Sequence, residues 1–164
     1  MKKCLKIMRK IPHKSDFQTP PAVCDYMAQH ILPSHTVLEP TPGEGNLVKA
    51  LKHWDGNVTA PKDFFKMKKR RFDYVVMNPP FSPHSLGYKI LYECMEMSDN
   101  IIALMPWLTI INGKKRTKDI TEFGLVSITH LPRDVFKGSR VQCCILQMKK
   151  GYSGTTQFKN YTTH

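Results

Sequence analysis

The chain has 164 residues, enough for one domain with a real core and too few for two full ones. With 41% hydrophobic and 23% charged residues it has an ordinary globular composition, and no apolar run approaches the roughly 18–20 residues that cross a bilayer, so a membrane-spanning helix is excluded. Twenty-five Lys and Arg against thirteen Asp and Glu leave a net charge of +12, which favours a polyanionic partner, most commonly nucleic acid, over bare lysine-rich solubility.

The amino terminus, MKKCLKIMRK, is basic, but lysines break up its apolar residues and no signal cleavage site follows, so the expected location is cytoplasmic. Residues 20–31 predict a helix, opened by Pro20 and Pro21 and carrying Val23, Met27 and Ile31 one turn apart. A short strand at 36–39 stops at Pro40. The turn TPGEG follows, then a helix over 46–54 with Leu47, Leu51 and Trp54 on one face. Residues 57–60 predict a short strand, and 73–78 (DYVVMN) a fully buried one, because its centre is apolar without alternation. A helix over 85–97, a buried strand over 101–108, a loop INGKKRTKD, and strands over 125–130 and 141–148 complete the reading. Residues 1–150 form one α/β domain, with a mostly parallel sheet covered on both faces and an antiparallel carboxy-terminal strand pair. Residues 151–164 read as a loose tail.

Basic residues gather at Lys2 to Lys14, Lys62 to Arg71 and Lys114 to Lys118, a pattern that would track phosphates if the clusters ring a pocket and would otherwise be a solvated face. Cys4, Cys24, Cys94, Cys143 and Cys144 are odd in number and irregularly spaced, so they read as reduced thiols. The seven histidines lack paired spacing, and no metal site is expected.

The sharpest feature is Asn78-Pro79-Pro80-Phe81, directly after the buried strand. A strand stopping in two prolines projects its last polar side chain from the carboxy edge of the sheet, where open α/β sheets bind ligands. An amino group on an aromatic ring is a poor nucleophile because its lone pair is delocalised. Two acceptors, here the Asn78 amide oxygen and the Pro79 carbonyl, would hold its N–H bonds and direct the lone pair at an electrophile, while Phe81 offers a stacking face. The second feature is the run Val37-Leu38-Glu39-Pro40-Thr41-Pro42-Gly43-Glu44-Gly45-Asn46. This is a glycine-rich turn between strand and helix that lets backbone approach a ligand closely.

The order DFQTP (16–20), LEPTPGEGNL (38–47) and DYVVMNPPF (73–81) resembles the amino-terminal half of adenine-N6 DNA methyltransferases, in the class whose threonine–proline motif comes first. LPRDVFKGSRVQCCILQMKK (131–150) is similar to the region of restriction-system modification subunits that closes the target-base pocket. The resemblance implies a Rossmann-like methyltransferase fold and S-adenosylmethionine as cofactor. It implies that Thr19, Glu39, Pro40, Gly43 and Gly45 hold the methionine and ribose parts of the cofactor, and that Asp63 and Phe64 hold its adenine. Asn78, Pro79, Pro80 and Phe81 would hold the target base, with Phe136 packing on its other side.

Two departures stand out. Residues 46–72 have room for one helix and one short strand, so the fold is abridged by about one strand–helix unit, and the acid that binds the ribose hydroxyls has no replacement. No separate target-recognition region fits either, so sequence reading would fall to a partner specificity subunit or be loose and dominated by phosphates. The expected activity is methylation of adenine N6 in DNA. The alternatives are methylation of RNA or of a glutamine side chain, or a degenerate fold that only binds nucleic acid or a partner subunit.

Overall fold

The structure is a computed structural model that describes residues 18–136, 139 and 141–162. The basic segment Lys2 to Lys14, Cys4, His13, Asp16, Phe17 and His164 lie outside the described residues, as do Lys137, Gly138 and Arg140 of the carboxy-terminal motif.

The elements in chain order are α1 (Pro21–Ala28), β1 (Thr36–Leu38), α2 (Asn46–His53), β2 (Asn57–Thr59), β3 (Tyr74–Met77), α3 (His84–Met95), β4 (Asn100–Pro106), α4 (Leu108–Ile111), α5 (Lys114–Gly124), β5 (Leu125–His130), β6 (Cys143–Lys149) and β7 (Gln157–Asn160). The seven strands form one sheet in the order β2-β1-β3-β4-β6-β5-β7. β6 runs antiparallel to both of its neighbours, and the remaining pairings are parallel. From β1 the chain crosses through α2 to β2 at one edge and then returns straight to β3, so only one crossover unit lies between β1 and β3.

The central strands are buried on both faces, which explains their unbroken apolar runs. Val75, Met77, Ile101, Ala103 and Met105 pack with α3 residues such as Ile90 and Leu91 on one face. Val76, Ile102 and Leu104 pack with Met27 of α1 and Leu51 of α2 on the other. Consecutive residues go to opposite faces, as a pleated strand requires. Cys24, Cys94, Cys143 and Cys144 are buried free thiols within these clusters. Among the described residues, no helix is long and apolar enough to cross a membrane.

Three expectations are corrected. Trp54 does not share the buried face of α2: the helix ends at His53, and Trp54 is 41% exposed at its C-cap. The segment INGKKRTKD is not a loop but the end of α4 and the first half of α5. Its apolar signal is thin, since only Ile120 and Gly124 of α5 are buried. The helix is held instead by Lys115–Asp119 and Lys118–Glu122 pairs at i,i+4 and by Arg116, which donates to the carbonyls of Leu108, Thr109 and Asn112. Nor are residues 151–164 loose throughout. Gln157–Asn160 adds β7 to the open edge of β5, and Thr156 Oγ1 donates to the Leu125 carbonyl at 2.8 Å.

Part of the charge of the two described basic clusters is paired locally. Lys66 pairs with Asp63, Lys69 with Glu93 and Arg71 with Asp99, all with exposed cations. Such pairs add at most about 1 kcal/mol each. Lys62, Lys68 and Lys114 have no ion-pair partner among the described residues.

Candidate active site

The chain leaves β1 toward one edge of the sheet and β3 toward the other, with α2 and α3 on opposite faces. That reversal is a topological switch point between the carboxy ends of β1 and β3, and open α/β sheets bind ligands in the crevice outside such strand ends. Glu39 follows β1 there and Asn78 follows β3.

The expected site residues Thr19, Glu39, Gly43, Gly45 and Asn78 come together around this crevice. Asn78 Nδ2 donates to Thr19 Oγ1 at 2.6 Å, which commits the nitrogen of the amide and leaves its oxygen as the acceptor. Thr19 is 4% exposed, and its carbonyl accepts from Asn46 Nδ2 at 3.3 Å, tying the segment before α1 to the first turn of α2. Between them the glycine turn closes with Gly45 N–H donating to the Pro42 carbonyl at 2.7 Å. Gly43 and Gly45 have φ of +52° and +87°, a region that side-chain-bearing residues rarely adopt. A Cβ on Gly43 would also lie 3.2 Å from the Gln18 side chain, so the turn and the threonine–proline segment are in close contact. Pro40, buried, links Glu39 to this turn.

Thr41 bridges the crevice. Its hydroxyl lies 3.1 Å from the Asn78 carbonyl and 3.3 Å from Glu39 Oε1, one proton between two acceptors, and its N–H donates to the same Oε1 at 2.8 Å. Glu39 is 1% exposed. Burial pushes its carboxyl up to about 8, against the pull of the two Thr41 donors. Its second oxygen receives no donor among the described residues. A carboxyl in that position favours a cationic group brought in by a ligand.

The double proline is fixed from behind. Pro79 is buried, and a Cβ on Gly87 of α3 would lie 2.7 Å from the Pro80 carbonyl, so the helix packs directly on the loop. No described donor reaches the Pro79 carbonyl. Phe81 is half-buried against the cluster that contains Leu104, Leu131, Phe136 and Cys143, and Phe136 is itself a buried member of that cluster at 8% exposure. The segment carrying Phe136 is pinned to the sheet by Gln142, whose amide donates to the Leu131 carbonyl at 2.6 Å and accepts from Arg133 Nε at 3.2 Å.

The cofactor-adenine pair is divided. Asp63 follows β2, as expected, but its Oδ1 caps the turn Phe64–Lys66 by accepting from Phe65 N–H at 3.1 Å. Phe64 is 6% exposed and packs in the core cluster with Leu38 and Met77. Two hollows of about 240 and 360 Å³ lie at the opposite, amino-terminal edge of the sheet, lined by residues such as Thr36, Asp73 and Asn100. Polar groups there are matched to one another, with Thr36 donating to Asp73 and Arg71 paired with Asp99.

No protein-family model matches this sequence, and no curated protein matches it. Solved structures do. A Listeria monocytogenes protein assigned as a class I S-adenosylmethionine-dependent methyltransferase superposes with a TM-score of 0.70 at 15% identity, over 95% of this chain and 69% of that one. The fold is that of the class I methyltransferases. A type I restriction enzyme modification subunit from Vibrio vulnificus gives a TM-score of 0.71 at 18% identity, over 99% of this chain and 51% of that one. The 23S rRNA methyltransferase ErmE gives 0.59 at 17%, over 82% and 69%. This chain therefore spans about half the length of the modification subunit. Within the methyltransferase fold, the alternating strands and helices and the reversed β6 are as expected from the sequence.

Gln18, Thr41, Asn46, Gly87 and Gln142 are site-building residues to which sequence reasoning gave no role of their own, although Gln18, Thr41 and Asn46 lie within the quoted motifs. Asn46 and Thr41 carried a local signal, since both sit beside the glycines. Gly87 and Gln142 carried none, because their partners are distant in sequence. Thr19→Val tests the central link. It leaves the Asn78 amide nitrogen without its acceptor in a largely buried setting, and the expected loss is about 1–3 kcal/mol in urea unfolding, with Thr19→Ser close to wild type.

Proposed function

We propose that this chain transfers a methyl group from S-adenosylmethionine to an exocyclic amino group, N6 of adenine in DNA. The observation that supports the reading is the 2.6 Å hydrogen bond from Asn78 Nδ2 to Thr19 Oγ1, which engages the amide nitrogen and leaves the amide oxygen and the Pro79 carbonyl as candidate acceptors. Two acceptors of this kind hold both N–H bonds of a planar amine and turn its lone pair out of conjugation. Phe81, half-buried beside the core cluster, would give an apolar face for a base turned out of its stack, with buried Phe136 packed in the cluster behind it.

The residues present fit most of the cofactor. Glu39, buried and lacking a cationic partner among the described residues, suits the methionine ammonium, and the turn through Gly43 and Gly45 offers close backbone approach. The cofactor would supply an electrophilic methyl on a sulfonium and leave as the neutral thioether, the protein would bind and orient the amine, and the proton displaced from the amine would pass to solvent. DNA is the proposed substrate because of the +12 charge and the likeness of fold to type I modification subunits. A separate specificity subunit is the proposed source of sequence recognition, in keeping with the likeness of fold to a type I modification subunit.

One observation favours a second reading. Edge strand β2 ends at Thr59 and Ala60, where a ribose-binding acid would stand, and loss of that charge-assisted pair would cost about 1.5–3 kcal/mol. A fold weakened in this way would bind nucleic acid or a partner subunit without turnover. Calorimetry with S-adenosylmethionine separates the two, since micromolar binding is expected of the enzyme and no detectable heat would establish the second reading. Labelled methyl transfer into DNA, RNA and protein then identifies the substrate, with N6-methyladenine in DNA the expected product.

A further inference from the structure

β4, the strand next to Asn78, ends at Pro106, and Trp107 follows it at the same edge of the sheet. The Trp107 ring lies 6.0 Å from Phe158 at a 32° tilt and 6.3 Å from His130 at 42°. Trp107 directly follows β4, and His130 and Phe158 lie on β5 and β7, which the fold brings to one rim. Phe158 is 64% exposed, although it sits on a paired strand. α4, capped by Trp107, turns Leu108 and Ile111 outward at 45% and 68% exposure, and Arg116 holds that single turn in place through the carbonyls of Leu108, Thr109 and Asn112. Isolated exposed apolar side chains are ordinary, but a fixed group of aromatic rings beside a ligand crevice is a docking feature.

We infer that the Trp107–His130–Phe158 rim is a stacking platform for unpaired nucleotides next to the base held at Asn78. Every base has a flat apolar face, so aromatic rings bind single strands with little regard to sequence, and neighbouring cations take the phosphates. Lys114, seven residues beyond Trp107, and Arg133, joined to the His130 region through Gln142, have no ion-pair partner among the described residues. Asp134, next to Arg133, tempers that charge locally. A second copy of this chain is the poorer occupant, because it would bring +12 against +12. The inference rests on the nucleic-acid part of the proposed function but not on methyl transfer.

The test is fluorescence anisotropy without cofactor, using a labelled single-stranded DNA of about 20 nucleotides and the matching duplex at about 50 and 150 mM salt. Phe158→Ala is expected to weaken single-strand binding about 5- to 100-fold, with duplex binding changed less than about twofold. The salt slope should be unchanged, since no phosphate contact is removed. Phe158→Trp should retain wild-type affinity, and the thermal midpoint of both variants should match wild type because the side chain is exposed. Equal single-strand affinity of wild type and Phe158→Ala overturns the platform. So does an equal loss on both DNAs, or a wild-type dimer in sedimentation that Phe158→Ala dissociates. Absence of methyl transfer with Phe158-dependent binding would retire the enzyme reading and leave the platform standing.

Discussion

If the chain transfers methyl as proposed, Asn78→Ala is expected to lower the rate by about two to three orders of magnitude and to leave a folded protein that still binds S-adenosylmethionine. The magnitude follows from what one preorganised polar group is worth in a site that excludes water, about 10²- to 10³-fold in rate. The substitution removes the acceptor aimed at the amino group while the Pro79 carbonyl stays in place, held by Gly87 behind Pro80. It also strips Thr19 Oγ1 of its donor, so a few degrees of thermal midpoint are lost, consistent with one hydrogen bond in a protein of this size. Asn78→Asp separates chemistry from packing. A carboxylate keeps acceptors in place, and the Thr19 hydroxyl can reverse its role and donate to it, so activity within about tenfold of wild type is expected. Steady-state and single-turnover rates on adenine-containing DNA make the comparison. If Asn78→Ala transfers methyl as fast as wild type, the twin-acceptor account fails.

The parts of this site legible in the sequence were those whose chemistry and backbone coincide. Asn78 announces itself because two prolines follow a strand with no polar residue at its centre, and the glycine turn does so because only a few residue types tolerate its backbone. The fold was legible for a related reason: Val75 to Met77 and Ile101 to Met105 are buried on both faces, and a strand covered on both sides needs an uninterrupted apolar run. Where the signal was thin, the reading missed. α5 has two fully buried residues in eleven and is stabilised by side-chain pairs and by Arg116, none of which leaves an apolar period. β7 owes its place to an open edge on β5, a property of the assembled sheet and not of the residues QFKN. Gln142 matters only because Leu131 and Arg133 fold back onto it. Phe64 shows the opposite error, since an aromatic beside a candidate binding acid invited a ligand role while the turn capped by Asp63 directs it into the core.

Glu39 carries the second large effect, and its sign is unusual for a carboxylate. Its folded pKa, pushed up to about 8 by burial, lies above the ordinary value of 4.5. Between those two values the folded protein holds a proton that the unfolded chain has released. Its contribution to stability is therefore fully present below about pH 4.5 and is lost as pH rises toward 8, at up to about 1.4 kcal/mol per pH unit. Glu39→Gln keeps the shape and removes the titration, so the variant should gain stability over wild type most clearly at and above pH 8, measured as urea midpoints across that range. Binding of the cofactor should move the other way. An ammonium placed against Glu39 favours the ionised form, so below pH 8 the wild type must release a proton to bind, and affinity rises by up to tenfold per pH unit before levelling off. Glu39→Gln should bind more weakly at every pH and show no such slope. Calorimetry in two buffers of different ionisation enthalpy reads the released proton directly. A wild-type affinity that stays flat from pH 6 to 9, with no proton released, would remove Glu39 from the cofactor site and leave it a buried carboxyl tied only to Thr41.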